Sequence, residues 1–228
     1  MPSRRDIFVN KHFYHIYNKT IDRIPIFQTE RLAQHFLDLM YYYRSSKITM
    51  RYSHFAQLSH VIKRYKEYEL TLKKYFLIDI VTFCIMPNHY HLLLMQKLDN
   101  GIFTFVSNIL NAITRYYNIL NKRKGPIFLP QFKSRMIVNQ EQFIHVSRYI
   151  HLNPYSSGIV KNIDELSTYQ LSSLKHYLNP NIKQNFCNPT PVLSCFKNSV
   201  DKYKQFILAN ADHQKMLDQI KYVEKWIS

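Results

Sequence analysis

Residues Leu77 to Met95 read LIDIVTFCIMPNHYHLLLM. Leu77 to Ile85 is apolar or β-branched apart from Asp79, the character of a buried strand, and Met86-Pro87-Asn88 interrupts it before a second run, His89 to Met95. A connection that short makes the two runs adjacent antiparallel partners in a sheet. Side chains alternate along a strand, so His89 and His91, which flank Tyr90, share one face.

Working outward from this pair, FYHIYN at Phe13 to Asn18 reads as a first strand. A helix follows from about Gln28 to Tyr43, with Leu32, Phe36, Leu39 and Met40 at helical spacing. Residues 44–75 are charged and tyrosine-rich and read as a helical insertion, with a solvated helix over Ser59 to Lys74. Beyond the strand pair, Gly101 opens a helix whose apolar stripe is Phe105, Ile109, Ile113, Tyr116 and Leu120, stopping at Lys122-Arg123-Lys124-Gly125-Pro126. Pro130 to Val138 is an extended return segment. A helix from Gln140 to Leu152 then ends before Pro154. After Gly158 the pattern weakens into loops and short helices, with one more amphipathic helix over Val200 to Leu208. This order predicts an α+β protein: a ferredoxin-like antiparallel sheet with helices packed on it, and a small, mostly helical C-terminal extension. The expected boundaries are a catalytic domain at 1–158 and an extension at 159–228.

The chain has 228 residues, 46% of them hydrophobic, enough to fill a sizeable core. It carries 31 Lys and Arg against 15 Asp and Glu, a net charge of +16 that attracts polyanions, of which nucleic acid is the commonest. Only three glycines are present, Gly101, Gly125 and Gly158, too far apart to cradle phosphates in a Rossmann or P-loop turn. Dehydrogenases, kinases and ATPases of those types are excluded. Cys84, Cys187 and Cys195 have neither CxxC spacing nor an even count, so a disulfide framework and a zinc ribbon are not indicated. No apolar run suggests a signal peptide or a membrane span, and the expected location is the bacterial cytoplasm, at the nucleoid.

Two neutral imidazoles on one strand face are ready ligands for a divalent ion, although a His-x-His pair also occurs for structural reasons. No further histidine or cysteine lies close by in sequence to complete a zinc site. On the helix from Gln140, Tyr149 and Asn153 stand one turn apart, with Gln142 and His145 on their side and Phe143, Val146 and Ile150 toward the core. In combination with a two-histidine site, Asn153 can add an amide oxygen to the metal while Tyr149 presents its phenol to a phosphate. The cations Arg115, Lys122, Arg123, Lys124, Lys133, Arg135 and Arg148 are candidates to hold DNA phosphates, with nearby aromatics stacking bases.

The block MPNHYHLLL at Met86 to Leu94 resembles the HUH signature of the REP-associated tyrosine transposases, within the single-tyrosine HUH transposase superfamily. Further blocks agree in order: Tyr14 to Asn18, Arg115 to Asn118, Phe132 to Arg135, Arg148-Tyr149-Ile150-His151-Leu152-Asn153-Pro154, Ser172-Ser173 and Val192 to Phe196. The resemblance implies an enzyme that cleaves and rejoins single-stranded or hairpin DNA. It further implies a divalent Mg or Mn ion held by His89 and His91, with Asn153 as third ligand, and Tyr149 as the nucleophile forming a phosphotyrosine intermediate. Tyr116 and Tyr117 are alternative nucleophiles on the earlier helix. The expected assembly is a monomer or homodimer. Two other readings are a non-catalytic nucleic-acid-binding protein on the same fold and a metal-dependent phosphodiesterase using water.

Overall fold

The computed structural model describes residues 7–179, 182 and 186–216. Its elements run β1 (Phe13–Lys19), α1 (Glu30–Tyr43), α2 (Tyr52–Ala56), α3 (His60–Thr71), β2 (Ile78–Met86), β3 (His89–Gln96), α4 (Gly101–Leu120), β4 (Lys133–Met136), α5 (Gln140–Ser156), α6 (Leu174–Leu178), α7 (Thr190–Ser194) and α8 (Val200–Leu208). The four strands form one sheet in the order β2-β3-β1-β4. With helices between β1 and β2 and between β3 and β4, that is the βαββαβ arrangement of a ferredoxin-like sheet, as the sequence predicts. No described helix is long and apolar enough to cross a membrane.

The described residues form two compact units that draw alternately on β2 and β3, one within 7–79, 87–89 and 94–136, the other within 80–86, 90–93 and 137–216. In the first unit β1 alternates strictly. Tyr14, Ile16 and Asn18 are buried, whereas Phe13, His15 and Tyr17 are half-buried and Lys19 is exposed. β4 runs antiparallel to β1, with Lys133 opposite Tyr17 and Arg135 opposite His15. Helices α1 and α4 pack on each other. The α1 residues Leu32, Phe36, Leu39 and Met40 are buried, as their spacing predicts. Gly101 is required where it stands: a Cβ there would lie 2.2 Å from the Leu77 carbonyl oxygen, which accepts from the Lys97 and Leu98 amides.

In the second unit, residues 171–173 lie along β2, with Ile85 N–H donating to Leu171 O (2.8 Å) and Ser173 N–H to Phe83 O (2.9 Å). They satisfy backbone groups that an edge strand would otherwise offer to another chain. Helix α5 packs on α7 and α8, and α6 on α8.

Two expectations are corrected. The apolar stripe of α4 consists of Ile102, Phe105, Val106, Ile109 and Ile113, and it ends there. Tyr116 is half-buried against Arg31 and His35 of α1, and Leu120 is 41% exposed. Helix α5 does not stop before Pro154 but continues to Ser156. Proline removes one amide, the partner of the Ile150 carbonyl. The turn survives because Ser157 N–H reaches Asn153 O (3.0 Å), Gly158 N–H reaches Tyr155 O (3.0 Å), and Leu152 to Ser156 are buried. Gly158, at φ 77°, ends the run in a conformation that glycine adopts without strain.

Candidate active site

The strand β3 holds His89 half-buried and His91 buried, while Tyr90 between them points to the opposite face and is buried too. Asn88, at the turn, orients the first imidazole. Its side-chain amide nitrogen donates to Arg23 O (3.4 Å), so its oxygen is turned to accept from His89 Nδ1 (2.7 Å). A carboxamide oxygen only accepts, so the proton sits on Nδ1 and the lone pair on Nε2, the tautomer a metal ligand needs. The turn itself is anchored: Thr20 N–H donates to Asn88 O (2.8 Å) and Phe27 N–H to Pro87 O (2.9 Å). Burial, and then the neighbouring Lys19 ammonium, push the His89 pKa down to about 4, which keeps the imidazole neutral near pH 7.

Tyr149, on α5, lies against His91 with ring centroids 5.4 Å apart at 89°, an edge-to-face contact. Its backbone carbonyl accepts from Asn153 Nδ2 (2.8 Å) and from Gln214 Nε2 (3.2 Å). Asn153 is buried, its amide nitrogen committed to that carbonyl, so Oδ1 is the atom it can offer to a cation. Among the described residues there is no group of three or more His, Cys, Asp or Glu placed to hold a metal. The candidate ligands read from the sequence, two imidazoles and one amide, include no carboxylate or thiolate. Such a set holds a divalent ion weakly alone and fits one that is bound jointly with phosphate oxygens.

What fixes α5 is a buried polar chain that sequence reading missed. His151, fully buried, bonds Tyr203 Oη on α8 (2.8 Å) through Nδ1 and Ser173 Oγ (2.8 Å) through Nε2. Tyr203 Oη donates onward to Ser147 Oγ on α5 (3.2 Å), and Ser173 Oγ accepts from Phe83 N–H on β2 (2.9 Å). Burial lowers the His151 pKa to about 3, so the ring stays neutral and serves one partner as donor and the other as acceptor. These partners lie 22 to 52 residues from His151, and no local pattern announces them.

The proposed DNA-contacting cations fall into two groups. Arg115, Lys122, Lys124, Lys133 and Arg135 are exposed. Arg123 and Arg148 have structural partners. Arg123 bonds Asn118 Oδ1 (3.0 Å) and Pro126 O (2.9 Å), closing the loop after α4. Arg148 stacks on Phe206 of α8 (4.4 Å) and donates to His145 Nδ1 (2.8 Å). Phe143 and Ile150 are buried and Val146 half-buried. The alternative nucleophile Tyr116 accepts from Arg31 Nε (2.7 Å) and stacks on His35 (4.0 Å), a setting built from α1 and α4. Sequence reading also passed over the half-buried face of β1, where His15, Tyr17 and Lys19 alternate with buried residues. The register places Lys133 and Arg135 beside Tyr17 and His15 on that face. The odd-position alternation of β1 was the available signal.

The sequence matches no protein-family model and no curated protein. Among solved structures, a REP-associated tyrosine transposase bound to a REP hairpin superposes with a TM-score of 0.54 at 15% identity, covering 78% of this chain and 86% of that one. A proposed transposase from Deinococcus radiodurans R1 gives a TM-score of 0.36 at 17% identity, covering 66% and 95%. The fold of this chain is that of the REP-associated tyrosine transposase.

Proposed function

We propose that the chain is a DNA transposase that cleaves and rejoins single-stranded or hairpin DNA through Tyr149. The observation that carries this reading is the contact of the Tyr149 ring with His91, one member of the His-x-His pair on β3. The fold match supports it, and the matched transposase is itself bound to a hairpin.

His89 and His91, with the Asn153 amide oxygen, would hold a divalent ion such as Mg or Mn, which when bound supplies positive charge to the oxygens of a scissile phosphate. The protein's own part is positional. Asn88 holds the His89 ring in its ligand tautomer, and the Asn153 and Gln214 amides hold the Tyr149 backbone. The Tyr149 oxygen attacks phosphorus in line, forming a P–O bond as the bond to the departing 3′ oxygen breaks. The phenol proton is lost to solvent, and the leaving 3′ oxygen takes one up. The phosphotyrosine ester conserves the bond energy, so a hydroxyl bound in the same place reverses the step and seals a junction without a nucleotide triphosphate. Exposed Arg115, Lys122, Lys133 and Arg135 supply phosphate contacts, and Arg123 and Arg148 do so only with the groups they do not commit to the fold. The catalytic region is assigned to 1–158 and the extension to 159–228, in a monomer or homodimer located with bacterial DNA in the cytoplasm.

The test is incubation of the full chain with labelled hairpin DNA and Mn or Mg. Wild type gives a denaturation-resistant protein–DNA adduct, and Tyr149→Phe gives none. Adduct formation undiminished in Tyr149→Phe refutes the assignment, and metal-dependent cleavage without any adduct selects a phosphodiesterase using water.

A further inference from the structure

Helix α3, within the 44–75 insertion, is built inside out. Its half-buried positions are Lys63, Lys66, Glu67 and Glu69, and Leu70 is its single buried residue. Its apolar residues face solvent instead: Val61 is 79% exposed, Tyr65 66% and Tyr68 63%. Positions 61, 64, 65 and 68 recur at helical spacing, so Arg64, also exposed, sits among them on a single face. An amphipathic helix stabilised only by its own fold would turn these residues inward. Continuous exposed apolar surface of this kind marks a contact with something else.

The occupant is indicated by charge. Residues 44–75 contain eight Lys and Arg against two Glu. Protein interfaces are depleted in lysine at their centre, whereas a strand of nucleic acid requires cations beside aromatic rings. We propose that the face formed by Val61, Arg64, Tyr65 and Tyr68 is a binding surface for single-stranded nucleic acid, on which the two phenol rings stack bases and Arg64 engages phosphate. A single strand is favoured over a duplex because ring faces stack on bases only when these are unpaired. The surface lies outside the residues assigned to cleavage. It rests on the transposase reading only for the expectation that the polymer is DNA.

The experiment uses the full chain, a fluorescein-labelled oligothymidylate, and a duplex of equal length, with binding followed by fluorescence anisotropy across a salt series. Y65A/Y68A is expected to weaken oligothymidylate binding by about tenfold or more, the loss of stacking under at least one base. Y65F/Y68F retains wild-type affinity, because a phenyl ring stacks as a phenol does. R64A lowers the steepness of the log–log salt dependence by roughly 0.7, one phosphate contact on a single strand. The thermal midpoint of each variant stays at the wild-type value, as expected for positions this exposed. Unchanged oligothymidylate affinity in Y65A/Y68A overturns the proposal. So does a duplex bound as tightly and weakened equally, or a change confined to sedimentation, which would make the face a contact between copies of the chain. The adduct assay separates the two claims. An adduct with no effect of Y65A/Y68A on affinity refutes only the α3 surface, and no adduct with the affinity loss refutes only the role of Tyr149.

Discussion

In α5 every residue from Ile150 to Ser156 is buried, His151 and Asn153 included, whereas in α3 only Leu70 is buried and the valine and tyrosines face water. Both helices depart from the rule that apolar residues face inward and polar ones outward, in opposite senses. Buried polar groups in α5 are all given partners within the fold, so they fix one rotation of the helix that carries Tyr149. Exposed apolar groups in α3 have no such role in stability. One departure stabilises a position; the other reserves a surface.

The sharpest way to break this contrast is His151→Ala. It removes a fully buried ring and takes one hydrogen bond each from Tyr203 and Ser173, and it is expected to lower unfolding free energy by about 3–5 kcal/mol in a denaturant titration. A loss below about 1 kcal/mol would show that the buried chain does not hold α5. Acid probes the desolvated imidazoles without mutation, His151 on α5, His176 on α6 and His15 on β1 alike. Burial depresses the pKa of His151 to about 3 and of His15 and His176 to about 4. Near and below the ordinary value of 6.5, the unfolded chain takes up protons that these folded sites refuse. Stability is therefore complete above that value and falls as pH drops toward 4. The thermal midpoint should be at least about 5 °C lower at pH 5 than at pH 7; an equal or higher midpoint contradicts the burial of neutral imidazoles.

Arg148→Ala should be milder, costing about 0.5–2 kcal/mol through the lost stack on Phe206. If its measured effect is confined to DNA affinity, with stability intact, Arg148 acts on nucleic acid and not on α8. Smallest of all is Y65A/Y68A, expected to change unfolding free energy by no more than about 0.5 kcal/mol. A larger loss would mean that α3 packs its tyrosines after all.

Much of the fold could be read from local pattern because the relevant forces are local. The β-formers of Phe13 to Asn18, the uniform apolar run before Met86 and the spacing of Leu32, Phe36, Leu39 and Met40 each reflect local packing against one core. Val200 to Leu208 was legible for the same reason. Pro154 misled because a proline is read as a helix stop, while burial of its neighbours was enough to carry the helix two residues past it, to Ser156. The His-x-His spacing and the Tyr149/Asn153 pair could be picked out as candidate site residues. Their surroundings could not. Lys19 is 70 residues from His89, and Tyr203 is 52 from His151, pairings that only the folded chain creates. Arg148 looked like a free surface cation for the same reason: Phe206, its partner, is remote in sequence.

Asn88 has a bearing on how a stored sample would age. Hydrolysis of its side-chain amide replaces a donor with a carboxylate oxygen, directed at the Arg23 carbonyl, and sets a negative charge beside His89. The lost bond loosens the turn, and the new charge draws the neighbouring imidazole toward its protonated form, in which no lone pair remains for a cation. One dalton of added mass at a single turn residue would thus mark an altered His89 ring in an otherwise folded preparation.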